Sequence, residues 1–158
     1  MEVFFELSSE FVFLPRLRLS LDVFVSGIFS IILGVIVIIG WYLNLPILIQ
    51  LNESLVPMQY NTALGFILSG VCFLANYFKK PKLNLISCTL LFCLTGPTLL
   101  QYIFSANFGI DQLFMDHYIT TMTAHPGRMA PNTAINFIII SLISYASFVI
   151  KDKEVRSK

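Results

Sequence analysis

Four stretches of this chain carry no charge over the length of a membrane crossing. Residues 23–43, 62–78, 83–104 and 133–150 contain no Asp, Glu, Lys, Arg or His. A helix needs about 20 largely apolar residues, with a range of ~17–25, to cross the hydrocarbon core. Lipid cannot satisfy an open backbone, so a run of this kind is stable as a helix. The blocks predict an all-α membrane protein with four transmembrane helices, the first starting near residue 22. Only 12% of the 158 residues are charged, against about 25% in a soluble domain. The four-helix unit, residues 21–150, with loops at 44–60 and 105–131, leaves no room for a separate soluble domain. Residues 1–20 read as a juxtamembrane segment and 151–158 as a tail.

Basic residues set the expected orientation. Arg16 and Arg18 precede the first helix, Lys79, Lys80 and Lys82 fill the turn between the second and third, and Lys151, Lys153, Arg156 and Lys158 follow the fourth. The other two loops hold a single basic residue, Arg128. Lys and Arg collect on the cytoplasmic side, so both termini are expected in the cytoplasm and both loops outside. Glu2, Glu6 and Glu10 give the N-terminus the wrong charge for a secretory signal. Its apolar residues fit either the membrane face or a partner surface. Cys72, Cys88 and Cys93 fall inside predicted helices and read as small buried residues.

The chain also repeats itself. MQYNTALGFI (58–67) returns 71 residues later as MAPNTAINFI (129–138), with six identical positions. Each copy stands where a polar loop becomes an apolar run. Tandem-repeated hairpins around a pseudo-two-fold axis are the expected architecture, with both copies at one depth and facing each other. Two readings of the motif stay open. In one, Asn61, Thr62, Asn132 and Thr133 cap helix N-termini, whose first N–H groups lack partners. In the other, the paired N-termini favour a small anionic or polar ligand, with Arg128 as its cation and Met58 and Met129 as soft walls.

The outer loops hold the remaining chemistry. Trp41 and Tyr42 sit where aromatic belts form. Residues 109–114 read as a turn into a short interfacial helix, and His125, Pro126, Gly127 and Arg128 as a tight turn. An Asp111–Arg128 ion pair would lock the loop, while His117 and His125 are candidate pH sensors. Asp116 and His117 match no established metal spacing, and no cofactor or metal site is expected. Ser26, Ser30 and Gly34 form a small-residue stripe on the first helix, Gly65 and Ser69 on the second, and Ser141, Ser144 and Ser147 on the fourth. Such stripes let helices approach closely. The helix cores hold no ionisable group, which argues against a pump or an intramembrane hydrolase. There is no phosphate loop and no nucleic-acid face. No catalytic residue and no enzyme activity are expected.

Four blocks in fixed order resemble one family. They are GWYL (40–43), VPMQYNTALGF (56–66), FGIDQL (108–113) and HPGRMAPNTA (125–134). Together they are similar to the N-terminal four-helix membrane module of bacterial PAS-containing histidine kinases and GGDEF-type diguanylate cyclases. The resemblance covers about residues 21–150. It places Trp41, Met58, Asn61, Thr62, Asp111, Pro126, Gly127, Arg128, Met129, Asn132 and Thr133 in the family pattern. It implies a sensory or anchoring input in the bacterial inner membrane. The family modules continue into an output domain, whereas this sequence stops eight residues after Ile150. Either the output domain has been lost, or it is a separate protein, or the sequence is part of a longer chain. The expectation is a sensor-like module that binds a small ligand or lipid at the paired motifs and works with a membrane or cytoplasmic signalling partner or as a homo-oligomer. The alternative is a structural or assembly subunit of a larger membrane complex.

Overall fold

A computed structural model describes residues 2–50, 52, 55–119, 123 and 125–156, with side-chain detail confined to residues 21–149. Leu51 and Glu53 of the first loop fall outside the described residues, as do the side chains of the N-terminal segment. The described residues form four α-helices and no strand: α1 (Glu2–Leu43), α2 (Tyr60–Tyr77), α3 (Pro81–Ile103) and α4 (Pro131–Arg156). One 3-10 turn, Pro46–Leu48, follows α1. Three segments are long and apolar enough to cross a membrane: Leu21–Leu43, Pro81–Ile103 and Pro131–Val149. The helix expected from residue 22 runs back to Glu2.

Successive helices run antiparallel, as their contacts show. From one end to the other, Gly27 faces Gly70, Gly34 faces Ala63 and Ile67, and the Trp41 indole meets Met58, so α1 and α2 form a hairpin. Likewise Asn84 donates to the Ser144 carbonyl at 2.7 Å, the Ser141 hydroxyl to the Cys88 carbonyl at 2.8 Å, and the Tyr102 hydroxyl to the Met129 carbonyl at 3.0 Å. These bonds hold α3 against α4. Between the hairpins α2 lies beside α4, with the Phe66 and Phe137 rings edge to face at 5.3 Å. Thus α2 touches α1, α3 and α4, while α1 packs on α2 and the 3-10 turn.

That central position explains the composition of α2. Its buried residues are Asn61, Thr62, Ala63, Gly65, Ser69, Gly70, Cys72 and Ala75, all small or polar. A helix covered on three sides needs close approach more than apolar bulk. The buried edge of α1 is Gly27, Ser30, Gly34, Val37 and Trp41. Ser26, expected in the α1 stripe, is exposed, and Gly27 takes its place against α2. The serine stripe of α4 does face inwards, with Ser141 and Ser144 buried against α3.

Three helices end the same way. Asn44, Lys79 and Ser105 have positive φ of 54°, 54° and 48°. Behind them the N–H groups of Leu45, Lys80 and Ala106 reach back to the carbonyls of Gly40, Ala75 and Gln101. This six-to-one closure satisfies carbonyls that the helix end leaves open. It is usually made with glycine, because a Cβ in this conformation costs ~1–2 kcal/mol.

Candidate functional site

The loop end of the bundle is organised around one carboxylate. Asp111 Oδ2 accepts from Arg128 Nε at 2.8 Å and lies 2.8 Å from Arg128 Nη2. Asp111 Oδ1 accepts from Gln101 Nε2 at 2.8 Å, and Gln101 Oε1 accepts from the Phe108 N–H at 2.7 Å. The Arg128 guanidinium also stands 5.2 Å from the Tyr102 ring centre, within reach of a cation–π attraction. The two charged side chains are only 4% and 11% exposed. The expected Asp111–Arg128 ion pair is present, and Gln101 and Tyr102, both from α3, complete it.

A glycine makes this closure fit. Gly127 has φ of +81°, and a Cβ there would stand 2.5 Å from the Asp111 carbonyl oxygen. Its N–H donates to Gln59 Oε1 at 3.1 Å, which ties the turn at 125–128 to the mouth of α2.

The two copies of the repeated motif sit in matching backbone and unlike surroundings. Each helix starts two residues after its Met, at Tyr60 and Pro131. The Ala63 and Ala134 N–H groups bond back to the carbonyls of Gln59 and Ala130. The Met58 carbonyl accepts from Trp41 Nε1 at 2.9 Å, and the Met129 carbonyl from Tyr102. Beyond the backbone the copies diverge. Asn61 is buried and does not cap α2. Its amide donates to the carbonyls of Ile110 and Asp111 at 3.4 and 3.0 Å. Asn132 is exposed, and its side-chain oxygen accepts from the Thr133 N–H at 2.9 Å. Thr62 is buried and Thr133 half-buried. Met129 is fully buried, and Met58 packs on the cluster around Trp41.

Asn61 also accounts for a corrected expectation. Residues 109–114 form turns and bends and no interfacial helix. The Asp111 carbonyl is bound by the Asn61 amide, and the Ile110 carbonyl accepts both from Asn61 and, in a single turn, from the Leu113 N–H. Trp41 is a second correction: it is 2% exposed. Its ring packs against Tyr118 and His117 at centroid distances of 4.9 and 5.4 Å. An indole whose N–H has a partner can be buried, and Met58 supplies one. Tyr42 remains exposed at the helix end.

His117 is enclosed beside Trp41, with neither ring nitrogen in good hydrogen-bonding geometry to a described residue. Burial holds its pKa below the ordinary value, and the Ile119 backbone opposes this weakly. A depressed histidine pKa means that the unfolded chain takes up the proton first. Stability is therefore full above the unfolded value of about 6.5 and falls as the pH drops through it towards the lower folded value. Acidification from pH 7.5 to 5.5 is expected to lower the unfolding temperature, and His117→Phe to flatten that dependence. An unchanged slope in the variant would remove His117 as its source. His125 is exposed, with its ring 5.9 Å from Tyr102.

Two polar cavities open beside the ion pair, of about 180 and 350 Å³. They share Asn107, His125 and Arg128. A separate apolar groove of about 360 Å³ lies between α2 and α3, with Asn61 at its lip and Pro97 and Cys93 in its wall. The groove and the polar cavities share no lining residue, so Asn61 and Arg128 face different spaces. Among the described residues, no group of three or more His, Cys, Asp or Glu is placed to hold a metal ion. No protein-family model, curated protein or solved structure matches the chain.

Proposed function

We propose that this chain is a four-crossing input module of a bacterial inner membrane. It consists of two tandem-repeated hairpins, with both termini cytoplasmic and the two loops outside. In this reading α2 is the fourth crossing. Its 18 residues span about 27 Å as a helix, and its polar residues are screened by the three neighbouring helices. The shared backbone closures at Asn44 and Ser105, and at Ala63 and Ala134, support the repeat. Lys79, Lys80 and Lys82, at the end opposite both loops, support the orientation. The family resemblance of the four sequence blocks points the same way.

The observation that carries the sensory reading is the Asp111–Arg128 pair and what it joins. Asn61 at the mouth of α2 holds the Asp111 backbone, Gln101 and Tyr102 at the end of α3 hold the pair, and Tyr102 holds Met129 at the mouth of α4. A ligand that favours one arrangement of this hub over another biases the packing of three helices together. It can do so only by its difference in affinity for the two arrangements. In this reading the module carries no catalysis of its own, and its signal passes through the cytoplasmic ends of α2 and α4 to an output domain.

The test is a fusion in which α4 continues in helical register beyond Arg156 into a histidine-kinase output read in cells. Asp111→Asn is expected to change that output about fivefold or more, the scale of a typical coupling between sites. Equal output from wild-type and variant fusions, with equal membrane levels, overturns the input reading in favour of an assembly subunit.

A further inference from the structure

One donor group of the hub, Arg128 Nη1, has no partner among the described residues. A guanidinium offers five N–H donors. Those on Nε and Nη2 of Arg128 go to Asp111 and, at 3.4 Å, to the Ala106 carbonyl. Among the described residues nothing accepts from Nη1. The side chain is only 4% exposed, yet Nη1 is not among its fully enclosed unpartnered atoms. Arg128 lines both polar cavities.

The other polar atoms around these cavities sort by what already holds them. Both Asp111 oxygens are taken, one by Gln101 and one by Arg128. Gln101 Oε1 is held by the Phe108 N–H. Asn107 Oδ1 accepts from the Gly109 N–H at 2.9 Å, which leaves the Asn107 amide hydrogens free to donate. The carboxylate and amide oxygens are engaged; Arg128 Nη1 and Asn107 Nδ2 remain as open donors, beside the Ser105 hydroxyl and the His125 imidazole, which can donate or accept. A donor-lined cavity selects a ligand rich in acceptor oxygens. Asp111 already offsets the charge of Arg128 and would repel a dianion, so a single negative charge fits best.

We propose that this cavity pair binds a small monocarboxylate, with its oxygens on Arg128 Nη1 and the Asn107 amide. Because Asp111 already occupies the Nε–Nη2 edge, the ligand makes a single charge-assisted hydrogen bond to Nη1 and takes its second from the Asn107 amide. The site lies beside the repeated motif, since neither Asn61 nor Asn132 lines it. Its meaning for signalling rests on the input-module reading, but its existence does not.

The experiment uses the full chain in nanodiscs, titrated with acetate, propionate and benzoate. The neutral amides of these acids and sodium chloride serve as controls. Unfolding temperature and ligand-observed NMR are the readouts. At least one carboxylate is expected to raise the unfolding temperature saturably, as a ligand of the folded state must, while amides and chloride do not. Asn107→Asp keeps an acceptor for the Gly109 N–H but adds a negative charge, and is expected to weaken binding at least tenfold while the ion pair stays intact. The proposal is overturned by equal shifts from amides or chloride, by no shift from any carboxylate, or by unchanged binding in Asn107→Asp. A fusion that still responds to Asp111→Asn when no carboxylate binds would sink the ligand and keep the input module.

Discussion

Replacing Arg128 with methionine is expected to remove about 3–5 kcal/mol of stability, the usual cost of stranding one member of a buried ion pair. Methionine keeps most of the aliphatic length, so the loss reports the guanidinium. Asp111 would keep Gln101 but lose its counter-charge. Asp111→Asn on its own should cost a comparable amount, because it strands the buried Arg128 charge and turns an amide NH2 towards a donor that Asp111 now accepts from. Combining Asp111→Asn with Arg128→Met should recover part of the loss, and the double-mutant cycle isolates the pair energy. Chemical unfolding of the detergent-solubilised chain, followed by circular dichroism, gives all four values. Strict additivity would mean that the pair is not coupled and that the hub is held by its backbone bonds alone.

The second large effect lies at the crossing of α1 and α2. A Cβ on Gly34 would stand 2.5 Å from the Ala63 carbonyl oxygen and 2.7 Å from Ile67 Cγ1. The first of these is backbone, so no rotamer change relieves it. Gly34→Val is expected to cost about 3 kcal/mol, at the upper end for overpacking, and to drive the hairpin apart. Ser26→Val, on an exposed position of the same helix, should change stability by less than about 0.5 kcal/mol, as substitutions away from packed features do. A cysteine pair placed across the α1–α2 contact would report the separation by lost cross-linking. Equal stability of the Gly34 and Ser26 variants would refute this interface.

The helices were legible because absence of charge is a local property. Residues 23–43, 83–104 and 133–150 each announce a helix without knowledge of any neighbour. The ion pair was legible too, since Arg128 is the only cation available to Asp111 in those loops. What stayed hidden depends on which helix lies in the middle. Asn61 and Asn132 occupy the same place in the repeat, yet one is buried and the other exposed, because α2 is enclosed and α4 is peripheral. A motif read from the chain alone assigns both the same role. Gln101 and Tyr102 were read as part of an apolar run, although a glutamine at a predicted membrane boundary was a signal that it had a partner. Gln59 and Asn107 act through loop backbone they meet only in three dimensions. The Ser26 error was one of helical phase: the true edge follows Gly27, one residue on.

The enclosure of α2 also bears on how such a chain is made. Its buried face is made of Asn, Thr, Gly, Ser, Cys and Ala, residues that let helices approach closely. A segment emerging from the ribosome is sorted into lipid residue by residue according to its own hydrophobicity. In the four-crossing reading α2 is apolar enough to enter lipid, and its neighbours serve to bury the Asn61 and Thr62 side chains at its mouth. In that reading α1 and α2 settle against each other through the glycine contacts, and the second hairpin then covers the polar mouth of α2.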